Sequence, residues 1–137
     1  MEKTISMEAL LSNLERALSF VDEALEQLDC PMKRQMQVDL AVEEAFVNVA
    51  NYAYGDKTGP VTLSVDAVEE TGEVRITLTD GGVPFDPLQQ ADPDLSLPAE
   101  ERQVGGLGIF MVKKNMDRVD YVYADGKNIL TMYKRIR

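Results

Sequence analysis

The chain has 137 residues and a formal net charge of −10 at pH 7. This length is expected for one domain, and the acidic balance excludes nucleic-acid binding that depends on a basic surface. The sequence has no histidine and a single cysteine, Cys30, which excludes Ser-His-Asp and Cys-His catalysis, the usual zinc sites and an internal disulfide.

Targeting signals are also missing from the sequence pattern. No apolar run is long enough to span a bilayer, and the first residues lack the basic and apolar regions of a secretory signal. A lone cysteine fits a reducing compartment. We therefore expect a cytoplasmic protein with one domain over residues 1–137, without membrane or direct nucleic-acid contacts.

The first half of the chain predicts a strand and two helices. Weak alternation predicts a short strand from Glu2 to Met7, and an apolar stripe predicts a helix from Leu10 to Leu28. Pro31 separates it from a second helix over Met32 to Tyr54, which Gly55 ends. The expected core face of this second helix is Val38, Ala41, Val42, Ala45, Val49 and Tyr52.

The second half predicts four strands and a helix. The expected strands are Pro60 to Val68, Glu73 to Thr79, Val119 to Tyr123 and Asn128 to Ile136. A polar loop over Leu88 to Val104 precedes a helix over Leu107 to Asn115. The order β-α-α-β-β-loop-α-β-β predicts an α+β, two-layer sandwich, with a mixed, mostly antiparallel sheet and helices on one face.

A polar stripe lies beside the core face of the second predicted helix. Glu44, Asn48 and Asn51 share it at helical spacing, whereas Glu43 points toward solvent. An asparagine oxygen suits Mg²⁺, and a glutamate one turn earlier can act as a base in phosphoryl transfer. The alternative is a solvated polar face of an amphipathic helix.

Asp80 ends a predicted strand and precedes Gly81 and Gly82. An ionised carboxylate there can accept a hydrogen bond from an exocyclic amine such as that of adenine, and glycines allow a flat ring to approach the backbone. The alternative is an ordinary Asp-Gly turn.

A third segment, Gly105-Gly106-Leu107-Gly108, leads into a predicted helix. Free N–H groups at such a start favour an anion such as phosphate. The segment is neither a Walker A loop nor a complete G-x-G-x-x-G motif, and the alternative is a flexible loop before a helix.

In this order, the three segments resemble the N box and the two glycine boxes of the GHKL (Bergerat-fold) ATPases. The resemblance covers the whole chain and is greatest to the bacterial anti-sigma factor serine-protein kinases. The phrases that carry it are Leu40-Ala41-Val42-Glu43-Glu44-Ala45-Phe46-Val47-Asn48 and Gly106-Leu107-Gly108-Ile109 running into Asp117-Arg118-Val119.

The resemblance implies a role for each site residue. Asn48 would hold Mg²⁺ against the ATP phosphates, and Glu44 would be the base toward an attacking hydroxyl. Asp80 would bind the adenine amino group, with Gly82 supporting the base and Asn128 on the adenine side. Gly105, Gly106 and Gly108 would bind the phosphates. Residues 88–104 would form a lid.

The resemblance also implies partners. Relatives phosphorylate a serine of a STAS-type antagonist protein and bind a sigma factor, usually as homodimers. Two positions depart from the family pattern: Pro84 stands in place of the second glycine of the first glycine box, and Tyr52 stands where many relatives carry histidine.

Other functions compatible with the sequence are an ATP/ADP-binding partner-switching module without kinase activity, the ATPase part of a histidine kinase, and a structural domain without a ligand. Without any histidine, the chain could act as a histidine kinase only on a histidine of another chain.

Overall fold

A computed structural model describes residues 2–89 and 109–137. Within these residues, five strands form one sheet in the order β1-β2-β3-β5-β4, and every pairing is antiparallel. The strands are β1 (Glu2–Glu8), β2 (Pro60–Val68), β3 (Glu73–Asp80), β4 (Arg118–Ala124) and β5 (Lys127–Arg135). The four strands predicted in the second half of the chain are therefore confirmed to within one residue at each end, and they pair as two hairpins, β2 with β3 and β4 with β5.

The described helices are α1 (Leu14–Gln27), α2 (Met32–Asn48) and α3 (Phe110–Asn115). A 3₁₀ turn over Leu11–Asn13 leads into α1. At the other end of α1, Asp29 adopts a left-handed conformation with φ 57°, and the Cys30 N–H donates to the Leu25 carbonyl. This pattern is a Schellman motif, which satisfies the last carbonyls of the helix and turns the chain toward α2.

One face of the sheet carries the core. Alternate residues of β2 and β3 are buried, and the helices cover them through apolar residues of α1 and α2. On the opposite face, hydroxyl side chains of β1 and β2 bond to each other, as in the pair Ser6 and Thr62 at 2.8 Å. The predicted two-layer α+β sandwich with helices on one face is confirmed.

The end of the second helix differs from the prediction. Regular α-helix stops at Asn48, and Val49–Ala53 form a π-helical turn. Because a π turn holds more residues than an α turn, the helical spacing shifts by about one residue. Tyr52, predicted in the core face, is therefore 37% exposed, and Asn51 leaves the polar stripe and is exposed.

Two further predictions fall partly or wholly outside the residues that the structure describes. The lid over residues 88–104 lies outside the described residues beyond Gln89, and so does the predicted start of the third helix before Ile109. Within the described part of the chain, no helix has both the length and the apolar composition needed to cross a membrane.

Candidate functional site

A cavity of about 60 Å³ lies between the C-terminal end of α2 and the sheet. Asn48 and Tyr52 line it from the helix side, and Asp80, Tyr121 and Asn128 line it from the sheet. The remaining wall is largely apolar, with contributions from Ala45, Val49, Leu78, Val83, Phe85, Pro87, Ile109 and Leu130. Such a lining, apolar with a few polar groups, is typical of a small-molecule site.

Asp80 is the carboxylate of this cavity. It is the last residue of β3, it lies opposite Asn128 of β5 in the strand register, and it is 7% exposed. Its Oδ1 accepts hydrogen bonds from the Gly82 N–H (2.9 Å) and from Asn128 Nδ2 (3.0 Å). These two donors fix the orientation of the carboxylate at the cavity wall.

The turn after Asp80 is packed against the π-helical turn that follows α2. A Cβ on Gly82 would overlap the Ala53 carbonyl and lie 2.7 Å from the Ala53 Cβ. The Val83 N–H donates to the Ala53 carbonyl at 2.8 Å, and the Gly81 N–H donates to Tyr54 Oη at 2.8 Å. Gly82 thus permits close approach of two backbone segments, and a contact to adenine stays a prediction.

Asn48 and Glu44 have different surroundings. Asn48 lines the cavity, whereas Glu44 is not among the described lining residues. Glu44 Oε1 accepts a hydrogen bond from the Val112 N–H of α3 at 3.0 Å. Burial raises the pKa of the Glu44 carboxyl, and the backbone amides of Val112 and Met111 act in the opposite direction. Glu43 is exposed, as the sequence predicts.

Gly105, Gly106 and Gly108 lie outside the described residues, so their phosphate contacts stay predictions. The sequence reasoning missed two residues that the structure brings to the site. Tyr121 lines the cavity and donates a hydrogen bond to Asn128 Oδ1, and Tyr54 binds the Gly81 N–H. Alternate residues of β4 face opposite sides of the sheet, and Tyr121 lies opposite the buried Leu130. This alternation is the sequence signal that could have placed Tyr121 on the core side of the sheet.

The residues present fit a nucleotide with Mg²⁺. The carboxylate of Asp80 matches an amino group on a ring, and the apolar wall matches the ring faces. No group of three or more His, Cys, Asp or Glu that could hold a metal occurs within residues 2–89 and 109–137. One amide oxygen, from Asn48, suits Mg²⁺, which takes most of its ligands from phosphates and water.

Comparison with known families gives an independent result. Residues 7–134 match the family described as "Histidine kinase-like ATPase domain". The chain belongs to this family. The match covers nearly the whole chain. It includes α2, most of β5 and the turn after β3, which carry the described site residues.

Among curated proteins, the chain is 31% identical to the serine-protein kinase RsbW of Listeria monocytogenes over 125 residues, which is 88% of this chain and 72% of the relative. It is 28% identical to the serine/threonine-protein kinase BtrW of Bordetella bronchiseptica over 93 residues, which is 68% of this chain and 65% of that protein. The resemblance to the GHKL superfamily and to its serine-protein kinase branch is therefore confirmed.

Solved structures show the same fold. The RsbU and RsbW domains of a Mycobacterium tuberculosis protein match with a TM-score of 0.71 and 14% identity, over 99% of this chain and 32% of that one. The SiaB-SiaC complex from Pseudomonas aeruginosa matches with a TM-score of 0.56 and 14% identity, over 95% of this chain and 88% of that one.

Proposed function

We propose that this chain is an ATP- and Mg²⁺-dependent protein-serine kinase of the partner-switching type. The observation that carries the proposal is Asp80, a buried carboxylate held by two donors on the wall of an apolar cavity in a histidine kinase-like ATPase domain. Asp80 binds the adenine amino group, and the cavity excludes water from the faces of the base.

Phosphate transfer requires a base for the attacking serine. Glu44 accepts the proton of a serine hydroxyl, the serine oxygen forms a bond to the γ-phosphorus, and the bond between the γ-phosphorus and the β–γ bridging oxygen breaks to release ADP. The raised pKa of Glu44, caused by burial, brings its proton affinity closer to the value that suits a base at neutral pH. Asn48 would hold Mg²⁺ through its amide oxygen, and the ion would supply neutralisation of charge on the phosphates.

The proposed protein substrate is a STAS-type antagonist, and the proposed regulated partner is a sigma factor, both in the bacterial cytoplasm. The support comes from the relatives, which are named serine-protein kinases, and from their alignment over most of this chain. The homodimer implied by the family resemblance stays a prediction.

A nucleotide-binding measurement and a transfer measurement test the proposal together. Mg-ATP at about a hundred times Kd should raise the free energy of unfolding by about 2.7 kcal/mol, seen as a higher Tm. Glu44→Gln keeps an oxygen for the Val112 N–H but cannot take a proton, so we expect phosphate transfer to a STAS-type protein to fall by about 10²–10⁴-fold while ATP binding persists.

The matched control is Glu43→Gln, because Glu43 is the exposed neighbour on the same helix. It should leave the transfer rate unchanged. The absence of a thermal shift with Mg-ATP would contradict nucleotide binding. An unchanged rate of phosphate transfer by Glu44→Gln would contradict only the role of Glu44 as the base.

A second function is favoured by the position of Glu44. Its carboxylate accepts a hydrogen bond from the backbone of α3, and Glu44 is not among the described residues that line the cavity. An ATP/ADP-binding module that sequesters a regulator without phosphate transfer needs only the nucleotide contacts. Tight binding of Mg-ATP by a chain that phosphorylates no serine of its partner would support this module over the kinase.

A further inference from the structure

Asn128 uses its whole hydrogen-bonding capacity within the protein. Its Nδ2 donates to Asp80 Oδ1 at 3.0 Å and to the Val83 carbonyl at 2.9 Å. Its Oδ1 accepts from the Phe85 N–H at 3.1 Å and from Tyr121 Oη. A side-chain amide has two donors and two acceptor lone pairs, so Asn128 has nothing left to offer a bound base.

The partners also fix which way the amide points. A backbone N–H can only donate and a backbone carbonyl can only accept, so Oδ1 must face Phe85 and Nδ2 must face Val83. The same orientation directs Nδ2 at the Asp80 carboxylate. Asn128 is 7% exposed, so water does not compete effectively for these bonds.

Asp80 is left with one oxygen in use and one oxygen available. Oδ1 receives both the Gly82 N–H and Asn128 Nδ2. Among the described residues, no hydrogen bond is made to Oδ2. A carboxylate held in this way presents a single acceptor oxygen in a fixed direction.

We propose that Asn128 is a positioning residue for purine recognition, which holds Asp80 Oδ1 and the backbone of residues 83–85 so that Asp80 Oδ2 accepts the 6-amino group of the base. Asn128 itself does not bind the nucleotide. This inference rests on the proposed function, and it reverses the direct adenine-side role that the family resemblance implies for Asn128.

Tyr121 extends the same network. Its hydroxyl donates to Asn128 Oδ1 while its ring lines the cavity. Burial raises the pKa of the Tyr121 phenol, so it stays protonated as a donor at neutral pH. Tyr121 therefore holds the amide in the orientation that serves Asp80.

The test compares ATP with purine riboside 5′-triphosphate, which lacks the 6-amino group, by calorimetry with Mg²⁺. Asn128→Asp keeps the shape of the side chain and the bonds from Phe85 and Tyr121, but it turns a second acceptor toward Asp80 Oδ1. We expect ATP affinity to fall about tenfold or more, because a hydrogen bond to a charged group is lost. Affinity for purine riboside triphosphate should change much less, so the preference for ATP disappears.

The matched control is Asn51→Asp, the same chemical change at an exposed asparagine, which should keep the wild-type preference. Circular dichroism and Tm check that Asn128→Asp is folded. If it is not, Tyr121→Phe carries the test, and it should lower the ATP preference in the same direction.

Equal losses for both nucleotides, or an unchanged ATP preference in the folded variant, would overturn the positioning role while leaving the proposed function intact. A wild-type chain that binds neither nucleotide would overturn both. The discrimination between the two nucleotides is decisive because a purely structural defect in the cavity lowers both affinities alike.

Discussion

At the residue scale, the turn after β3 is held from both sides by single side chains. Tyr54 Oη accepts a hydrogen bond from the Gly81 N–H and donates one to the Pro60 carbonyl, which ties the turn to the residue after the π-helical turn and to the start of β2. Asn128 holds Asp80 from the other side. The geometry of the site thus depends on individual polar contacts, and a small change in one of them should have a large effect.

Gly82→Ala is predicted to destabilise the protein, because the added Cβ would overlap the Ala53 backbone. Overpacking of this kind costs about 1–3 kcal/mol, and the Val83 to Ala53 hydrogen bond should be lost as well. Thermal unfolding measures the cost. Gly81→Ala is the matched control, since a Cβ there would lie 3.7 Å from Tyr54 Oη, an ordinary contact. Equal Tm values for the two variants would contradict the close approach.

At the element scale, α1 and α2 meet through acidic groups as well as apolar ones. Asp39 Oδ1 of α2 is buried and has no hydrogen-bond partner among the described residues. Gln35 Nε2 donates to Asp22 Oδ1 of α1 at 3.2 Å. Burial raises the pKa of Asp39 to about 8, and a side-chain hydrogen bond between Asp39 and Asp22, with the negative charges of Asp22 and Glu43, acts in the same direction. Folded Asp39 therefore keeps its proton at pH values at which the same group ionises in the unfolded chain.

The sign of the pH dependence follows from proton binding. An unfolded Asp loses its proton near pH 4, whereas folded Asp39 keeps it up to about pH 8. The folded state binds more protons across this window, so its stability falls as pH rises through it. Asp39→Asn stays neutral, and we expect its Tm advantage over the parent to grow from pH 5 to pH 8.5.

Asp56→Asn, at an exposed aspartate, is the control for this prediction and should show no such growth. Thermal unfolding at several pH values measures both variants. A Tm difference for Asp39→Asn that is the same at every pH would show that Asp39 is already ionised in the folded protein at low pH.

At the scale of the whole molecule, the helix layer and the sheet share one core. Phe46 of α2 is fully buried in it, with 0% exposure, beside Leu63 of β2 and Ile76 of β3 in the same cluster of buried residues. Among residues 2–89 and 109–137 the helices lie on one face of the sheet, so this single interface provides most of their apolar burial.

Phe46→Ala should lower the free energy of unfolding by about 3–5 kcal/mol, since it removes a buried aromatic side chain and leaves a cavity between the layers. Equilibrium unfolding in urea measures the change. Met36→Ala, on the same helix but at a 59% exposed position, should change the stability by about 0.5 kcal/mol or less. A cost for Phe46→Ala similar to that of Met36→Ala would contradict the shared core.

The amino-acid sequence determined the elements and the identities of several site residues. Periodicity is a local property, so β2, β3, β5, α1 and the first part of α2 follow from it, and Asp80 follows from its place at the end of a strand. Motif order was sufficient to indicate the family, which the match over residues 7–134 confirms. The phosphate-binding role of Gly105, Gly106 and Gly108 stays a prediction from the motif, because these residues lie outside the described part of the chain.

Only the tertiary structure decided which residues meet. The π turn at Val49–Ala53 removed Asn51 from the polar stripe. The sequence could not predict this, because helical spacing gives no sign of an extra residue in a turn. Glu44 accepts a hydrogen bond from the backbone of α3, and the side-chain amide of Asn128 makes its hydrogen bonds within the protein, one of them to Asp80. These contacts join segments far apart in the chain, 68 residues for Glu44 and Val112, and a hydrogen bond forms wherever folding places a donor against an acceptor.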